Sequence, residues 1–284
     1  LWDILKNEKP THIAVAMDMP GPTFRHEMYA PYKANREEQP EDITKSIPYI
    51  LDILEAFDIP VLQQTGIEAD DIIGTLSKIA GEDGYEVYMV TPDKDYGQLV
   101  KENVKMYKPS RRGEGVDLWG VKEILEKWDI EHPDQVIDML GLQGDSSDNI
   151  PGVKGVGPKT AAKLLKQYPS IEEIYKHIDD IKGSTQKKLK ENKEDALLSK
   201  KLATIKIDCE IPYEPDRLLI GEMNRKKLAE IFNELEFRTL KKSILGENQT
   251  AQQTTLFDTA DTSVDTVHKS ESIPAMSKKN MDNT

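Results

Sequence analysis

The first half of the chain alternates two hydrophobic patterns. Short apolar runs of strand length occur at 12–18, 59–64, 86–91 and 104–107. Between them, apolar residues recur every three or four positions over 41–57 and 69–80, which predicts two helices. Strands that alternate with helices predict βαβ units and therefore an α/β fold with a parallel sheet. Residues 20–40, rich in proline and charge, interrupt the pattern and predict a long insertion.

After about residue 119 the strand pattern stops and helical periods follow one another. They cover 120–128, 133–142, 158–167, 171–178, 184–202 and 224–236. From Glu247 onward the chain is rich in Thr, Ser, Asp, Asn and Gln, a composition that cannot bury a core. We predict an α/β domain over 1–118, a helical region over 119–246, and a flexible linker or tail over 247–284.

Composition indicates a globular protein with one large domain or two small ones. The 284 residues are 37% hydrophobic and 31% charged. No apolar run approaches the ~20 residues that span a bilayer, and we see no signal peptide. We therefore expect a cytoplasmic protein without membrane contacts, with a monomer as the default. The single Cys209 excludes a disulfide framework and a cysteine zinc site.

The net charge of −13 is unusual for a protein that binds nucleic acid, but the charge is unevenly distributed. Between Lys154 and Lys206 there are 13 Lys against 7 Asp or Glu, a local excess of positive charge. Acidic residues cluster instead along the first half. This distribution is typical of a protein that binds cations in one place and phosphates in another.

Acidic residues follow three of the predicted strands, and because residues beyond the carboxyl ends of parallel strands converge on one crevice, we expect them to meet. Singly, such residues are more commonly turn or helix-capping residues, but their coincidence at equivalent places favours a shared site. Oxygen ligands without His or Cys favour Mg²⁺ or Mn²⁺, and two ions ~4 Å apart would clamp the oxygens of a phosphodiester. The candidate metal-binding residues are Asp18, Glu68, Asp70, Asp71, Asp93, Asp95, Asp145 and Asp148.

A glycine-rich turn, GVKGVGPKTA, lies within 144–165 and precedes a helix that begins near Pro158. Glycines let phosphate approach backbone N–H groups, and the helix amino terminus and two lysines add positive charge. The spacing does not fit a Walker A loop. We predict a helix-hairpin-helix that grips a DNA backbone without reading bases. The candidate DNA-binding residues are Gly152, Lys154, Gly155, Gly157, Lys159 and Thr160.

The segment TFRHEMYAPYKANR combines basic residues with aromatic ones. On a helix, Tyr32, Lys33 and Arg36 would share one broad face, which suits single-stranded nucleic acid because bases stack on the ring and phosphates pair with the charges. We add Arg25 to this candidate DNA-binding set. For this stretch alone, an ordinary solvated charged face is the alternative.

Five segments in order resemble the 5′-to-3′ exonuclease domains of bacterial DNA polymerases I, in the flap endonuclease superfamily. They are KPTHIAVAMD, TFRHEMYAPYKANR, GIEADDIIGTL, TPDKDYGQLV and GDSSDNIPGVKGVGPKTA, and the resemblance covers about residues 9 to 245. It implies a PIN-like sheet flanked by helices and a two-metal nuclease for DNA 5′ flaps and nicked or gapped duplexes, including RNA-primed ends. The implied roles are primer removal, nick translation and repair.

The resemblance also implies a role for each candidate residue. It assigns the first ion to Asp18, Glu68 and Asp70, with Asp71 and Asp93 nearby, and the second ion to Asp95, Asp145 and Asp148. Lys33 and Arg36 match an arch over about 20–40 that contacts the scissile phosphate, so we expect both, with Asp93, to be catalytic. The turn 152–157 matches a hairpin that holds a monovalent cation, K⁺, on backbone carbonyls.

One departure concerns the beginning of the chain. The family starts with a strand that bears another metal-binding Asp, followed by a helix, whereas the opening LWDILKNEKPTH reads as the end of a helix. We therefore expect that an N-terminal piece with the central strand is missing, and that the full-length parent continues into a polymerase domain.

Two alternatives remain open. In this truncated form the chain could be a non-catalytic module that binds branched DNA through the hairpin. A PIN-type ribonuclease would share the acidic sheet, but such domains are short and lack a region like 144–206. Mg²⁺-dependent turnover distinguishes the nuclease from the binding module.

Overall fold

The strands form two small sheets in the computed structural model, which describes residues 1–109 and 115–246. β1 (Val15–Ala16) pairs in parallel with β2 (Val61–Leu62). β3 (Val87–Val90) pairs in parallel with β4 (Val104–Pro109), which pairs antiparallel with β5 (Val116–Trp119). The parallel pairs confirm the predicted α/β class. The antiparallel β5 was not predicted, because four residues of mixed polarity give too short a pattern.

Helices make up most of the remaining described chain. They are α1 (Trp2–Asn7), α2 (Phe24–Met28), α3 (Glu41–Ala56), α4 (Ala69–Glu82), α5 (Val121–Trp128), α6 (Gln135–Gln143), α7 (Pro158–Leu165), α8 (Ile171–Lys176), α9 (Ser184–Glu191), α10 (Lys193–Ala203), α11 (Arg225–Glu234) and α12 (Arg238–Leu245). The single period predicted over 184–202 is two helices, because the chain leaves helical geometry at Asn192. Two 3₁₀ helices, Lys94–Leu99 and Pro215–Leu218, complete the set.

The main hydrophobic core joins the sheet to the helical region. α6 lies at its centre, where Val136, Leu140 and Leu142 have no exposed surface. Met89 of β3 and Met106 of β4 belong to the same core. Because burying such side chains stabilises each by about 1.5–3 kcal/mol, this shared core holds the loop after β3 firmly against the end of α6.

A second, smaller core lies under α3. Leu54 and Phe57 pack there with Leu228 and Phe232 of α11. α1 covers part of it, since the rings of Trp2 and Phe57 approach to 6.3 Å between centroids. In the described residues no helix has the length and apolarity to cross a bilayer. The tail predicted over 247–284 lies outside the described residues.

Candidate functional site

Three chain segments meet around one cavity of about 240 Å³. One follows the carboxyl end of β3, where the 3₁₀ helix Lys94–Leu99 begins, another is the turn after α6, and the third is the stretch after α2. The lining residues are Arg36, Pro92, Asp93, Lys94, Asp95, Asp145, Ser147 and Asp148. Four of the eight predicted carboxylates therefore converge on one concave surface.

The amino-terminal turn of α4 connects the carboxyl ends of β1 and β3. Asp18, just beyond β1, accepts a hydrogen bond from the backbone N–H of Ala69 at 2.7 Å. Asp70 accepts one from the hydroxyl of Tyr96, in the 3₁₀ helix after β3, at 2.6 Å. Carboxylates at this place are stabilised by the partial positive charge of a helix amino terminus. The first turn of α4 thus links Asp18 and Asp70 to the segment that follows β3.

Two of these carboxyl groups bind protons more tightly than an ordinary aspartate. Burial raises the pKa of Asp70 to about 6, an effect that Asp93 increases and the hydrogen bond from Tyr96 opposes. Burial also raises the pKa of Asp95 to about 7, and the charge of Asp93 again adds to the shift. Oδ1 of Asp95 is buried and has no hydrogen-bond partner. Crowded, desolvated carboxylates of this kind are what cation-binding sites contain.

Asp145 has the opposite environment. Its Oδ2 lies 2.6 Å from Nζ of Lys94, and its Oδ1 accepts bonds from the N–H and hydroxyl of Ser147 at 2.8 and 2.5 Å. Burial alone would raise the pKa of Asp145, but the bonds from Lys94 and Ser147 outweigh it and lower that pKa. Two backbone hydrogen bonds between Asp145 and Ile150 close the turn. Asp145 is therefore an ionised and rigidly held carboxylate.

Lys33 and Arg36 form ion pairs at the cavity. Nζ of Lys33 lies 2.9 Å from Glu68 and 3.8 Å from Asp148, while Arg36, about half exposed, pairs with the other oxygen of Asp148. The helical face predicted here is wrong, because α2 ends at Met28 and Lys33 adopts a left-handed backbone conformation with φ 55°. Lys33 occupies this uncommon conformation while its N–H donates to the carbonyl of Asp148 at 2.9 Å.

The predicted stacking role of Tyr32 is also wrong. The ring is 3% exposed and belongs to the main core, so it has no face open to a base. Its hydroxyl donates to Glu68 at 3.1 Å and to Asp148 at 3.2 Å. Tyr32 therefore aligns two carboxylates from behind the site.

Arg25 and Asp71 form a buried ion pair, which corrects both of their predicted roles. Arg25 is 2% exposed and Asp71 is fully buried, and two nitrogens of the guanidinium donate to the two carboxylate oxygens at 2.8 and 2.7 Å. Arg25 also donates to the carbonyls of Leu202 and Thr204. Arg25 is thus not available to DNA, and Asp71 is not available to a metal ion. The pair connects α2 and α4 to the end of α10.

The glycine-rich turn presents its basic residues outward. Lys154, Gly155, Gly157 and Lys159 are exposed, and Thr160 is half-buried in the first turn of α7. Nζ of Lys188 in α9 donates to the carbonyl of Gly155 at 2.9 Å. Gly152 has a different environment from the other turn residues. It is buried with φ 63°, and a Cβ there would approach the backbone N of Gly144 to 2.2 Å, so this glycine is required by packing.

The geometry can now be compared with known proteins. The model of the N-terminal resolvase-like domain of 5′-3′ exonucleases matches residues 1–129, and that of their C-terminal SAM fold matches residues 131–226. The chain belongs to the 5′-3′ exonuclease family. Family membership confirms the resemblance inferred from the five sequence segments.

Relatives of this exonuclease-family chain include DNA polymerase I of Bacillus subtilis, 41% identical over 254 residues, which are 89% of this chain and 29% of that protein. DNA polymerase I of Caldicellulosiruptor bescii is 42% identical over 242 residues, 84% of this chain and 28% of that protein. The chain thus spans less than a third of the length of these curated relatives.

Solved structures share the fold at low identity. T5 5′-exonuclease with bound divalent zinc ions aligns with a TM-score of 0.61 and 20% identity, covering 83% of this chain and 87% of that one. The catalytic core of Rad2 in complex with a DNA substrate aligns with a TM-score of 0.56 and 18% identity, covering 81% and 78%. These likenesses support the α/β-plus-helical architecture.

Sequence reasoning missed three functional-site residues. Lys94 and Ser147 line the cavity, and Tyr96 holds Asp70. Lys94 lies between two candidate ligands in the sequence DKD, so its position beside the cation site could have been predicted from the sequence. Tyr96 carried no signal, because its buried hydroxyl contacts a carboxylate 26 positions away.

Proposed function

We propose that this chain is the metal-dependent 5′ nuclease part of a DNA polymerase I, and that it hydrolyses phosphodiesters at DNA 5′ flaps and in nicked or gapped duplexes. The observation that carries the proposal is the acidic cavity of about 240 Å³, where Asp93, Asp95, Asp145 and Asp148 converge beside Arg36. Primer removal, nick translation and repair follow from this chemistry as proposed roles.

The residues of the cavity fit a divalent cation. The donors are all carboxylate oxygens, which suit Mg²⁺ or Mn²⁺, and the buried Oδ1 of Asp95 has no hydrogen-bond partner. The eight predicted carboxylates lie beside four basic side chains, those of Arg25, Lys33, Arg36 and Lys94. Four negative charges remain, which two divalent ions would balance. Among the described residues, no three His, Cys, Asp or Glu side chains stand close enough together to hold an ion as they are placed. Lys33, Arg36 and Lys94 pair with Glu68, Asp148 and Asp145, so these carboxylates would have to exchange partners to bind one.

Each group then has a role in the proposed site. Asp18, Glu68, Asp70, Asp93, Asp95, Asp145 and Asp148 would hold the two ions. Bound divalent ions supply an activated water and neutralise charge on the phosphodiester. Arg36 lines the cavity, and Lys33 lies behind it beside Asp148. Both would donate to phosphate oxygens and stabilise the negative charge that develops during hydrolysis. Tyr96 keeps Asp70 oriented through its hydrogen bond.

The division of labour between regions is part of the proposal. Residues 1–118 would carry most of the catalytic groups, with 20–40 as the arch over the substrate, while Asp145 and Asp148 of the helical region complete the site. Residues 119–246 would hold the duplex through the turn in 144–165, where exposed Lys154 and Lys159 flank the start of α7. A monovalent cation such as K⁺ at the turn 152–157, and a polymerase domain beyond 247–284, remain predictions.

A non-catalytic branched-DNA-binding module is the second candidate. It is favoured by one observation, namely that Glu68, Asp145 and Asp148 are already neutralised by basic side chains. Such pairing would let the cavity persist as a structural feature with no ion bound.

Cleavage of a 5′-labelled flap DNA tests the two candidates against each other. With Mg²⁺ we expect a shortened product from the wild-type chain, and none with EDTA or in the variant Asp70→Ala. Asp216→Ala, which removes an exposed carboxylate outside the site, should cleave normally. Flap binding without any Mg²⁺-dependent product would replace the nuclease with the binding module.

A further inference from the structure

Lys94 holds a position that the proposed nuclease does not yet explain. Its Nζ lies 2.6 Å from Oδ2 of Asp145 and 3.8 Å from Oδ1 of Asp95. Both carboxylates are candidate ligands of the second ion, and both line the same cavity as Lys94. The ammonium thus occupies the space between two groups that would have to share a divalent cation.

The carboxylate side of this contact is rigid. The exposed fractions of the Asp145 and Asp95 side chains are 7% and 18%. Ser147 fixes the second oxygen of Asp145, and two backbone bonds to Ile150 close its turn. Asp95 belongs to the 3₁₀ helix that Asp93 caps by accepting the N–H of Asp95 at 2.9 Å. The Asp145 carboxylate and the backbone of Asp95 are therefore held in place, so the two carboxylates stay close to each other.

The side chain of Lys94 is less constrained than the two carboxylates. The side chain of Lys94 is 43% exposed, and an ammonium on a flexible four-carbon stem can turn outward without moving the backbone. A cation ligated by Oδ2 of Asp145 would stand about 2.1 Å from that oxygen, within the space that the ammonium fills. Like charges at that separation repel strongly, so the two cations exclude each other.

We propose that Lys94 is a built-in counter-cation for Asp95 and Asp145, which a divalent ion must displace and which therefore lowers the affinity of this part of the cavity for that ion. The inference rests on the proposed metal-dependent function. In the free protein Lys94 limits repulsion between the two carboxylates. After displacement its ammonium stands at the mouth of the cavity near Arg36, where it adds positive charge for the DNA backbone.

The test is Mn²⁺ binding to the full chain at pH 8, with free Mn²⁺ followed by electron paramagnetic resonance. Lys94→Met removes the charge and keeps most of the side-chain volume, and Lys94→Gln is a second uncharged variant if the first does not fold. Lys122→Met is the matched control, because Lys122 is 79% exposed and lies in α5 away from the cavity.

We expect Lys94→Met or Lys94→Gln to bind one Mn²⁺ about tenfold more tightly than the wild type and Lys122→Met. In EDTA we also expect the melting temperature of the Lys94 variants to fall by a few degrees, and added Mn²⁺ to restore it. Unchanged or weaker Mn²⁺ binding in the Lys94 variants, with normal binding in the wild type, would overturn the counter-cation role alone. No Mn²⁺ binding by any chain would overturn the proposed metal site as well.

Discussion

Six carboxylates of the candidate site fall into two groups that are held by different partners. Asp18, Asp70 and Asp93 accept hydrogen bonds from neutral donors, which are two backbone N–H groups and the hydroxyl of Tyr96. We call these three the neutral-donor group. Glu68, Asp145 and Asp148 instead contact the cations of Lys33, Lys94 and Arg36, and we call these three the ion-paired group.

The difference between the partners of the two groups explains how one acidic site can be stable without metal and still bind cations. A neutral donor orients a carboxylate but leaves its full negative charge uncompensated, so this group attracts an ion directly. The ion-paired group has its charge balanced within the protein, which stabilises the fold without metal. A cation or a phosphate that reaches it must exchange partners with a lysine or arginine. We therefore expect the neutral-donor group to bind an ion first.

The largest effect should come from the neutral-donor group. Asp93→Ala removes a carboxylate whose charge no basic side chain balances, and we expect Mg²⁺-dependent flap cleavage to fall at least about 10³-fold, or about 4 kcal/mol in the barrier. Flap binding measured in Ca²⁺ should change little. Asp216→Ala is the control, and near-normal cleavage by Asp93→Ala would remove this residue from the mechanism.

The second-largest effect should come from the buried ion pair of Arg25 and Asp71. Arg25→Met leaves Asp71 as an unpaired buried charge, and we expect the free energy of unfolding to fall by about 3–5 kcal/mol. Urea unfolding in EDTA measures the change, and Arg217→Met at an exposed surface pair should shift it by less than about 1 kcal/mol. Equal, small effects of both variants would show that the Arg25–Asp71 pair contributes no special stability.

A smaller effect is expected from the ion-paired group. Lys33→Ala removes a phosphate donor and one of the two cations that pair with Glu68. We expect cleavage to slow by about 10²-fold while Mn²⁺ binding is retained or strengthened. Lys45→Ala, in an exposed pair with Glu41, is the control. Loss of Mn²⁺ binding in Lys33→Ala would contradict the distinction between the two groups, because Lys33 would then support the ion rather than compete with it.

The smallest expected effect is on the pH dependence of stability without metal. The folded-state pKa values of Asp70, about 6, and Asp95, about 7, lie above the ordinary value of an aspartate. At these two groups the folded state binds more protons than the unfolded state, so their contribution to stability rises as pH falls from 8 to 6. We expect the melting temperature in EDTA to rise by about 3 °C over this range.

The variant Asp95→Asn isolates the contribution of that residue. Its amide does not titrate, so the rise in melting temperature between pH 8 and pH 6 should become smaller. The comparison of slopes between variant and wild type removes the contribution of other titrating groups. An identical slope in both proteins would mean that Asp95 keeps an ordinary pKa in the fold.

The strand-end carboxylates were predictable from their positions directly after apolar runs of strand length. Asp18 follows β1 and Asp93 follows β3, and although these strands lie in different sheets, the first turn of α4 bonds to the segments after both of them. The Gly-rich turn was readable for a similar reason, since Gly155 takes a positive φ of 80° that favours glycine. Both features depend on local backbone geometry that the sequence specifies directly.

Burial of charged residues was not predictable in the same way. Arg25 and Asp71 looked like a DNA contact and a metal ligand, because both types usually stay exposed unless paired. Their pairing joins residues 46 positions apart and depends on the end of α10 closing over them. Tyr32 was misread for a related reason, since a helical face was assumed where the chain turns at Lys33.

Anomalous diffraction from crystals of the chain grown with Mn²⁺ tests the central claim most directly. We expect two Mn²⁺ peaks in the cavity, one within about 2.2 Å of oxygens of Asp70 or Asp93 and one near Asp95 and Asp145, with the Lys94 side chain turned outward. A cavity with no Mn²⁺ peak, and with Lys94 still on Asp145 at high Mn²⁺, would contradict the proposed two-ion nuclease site.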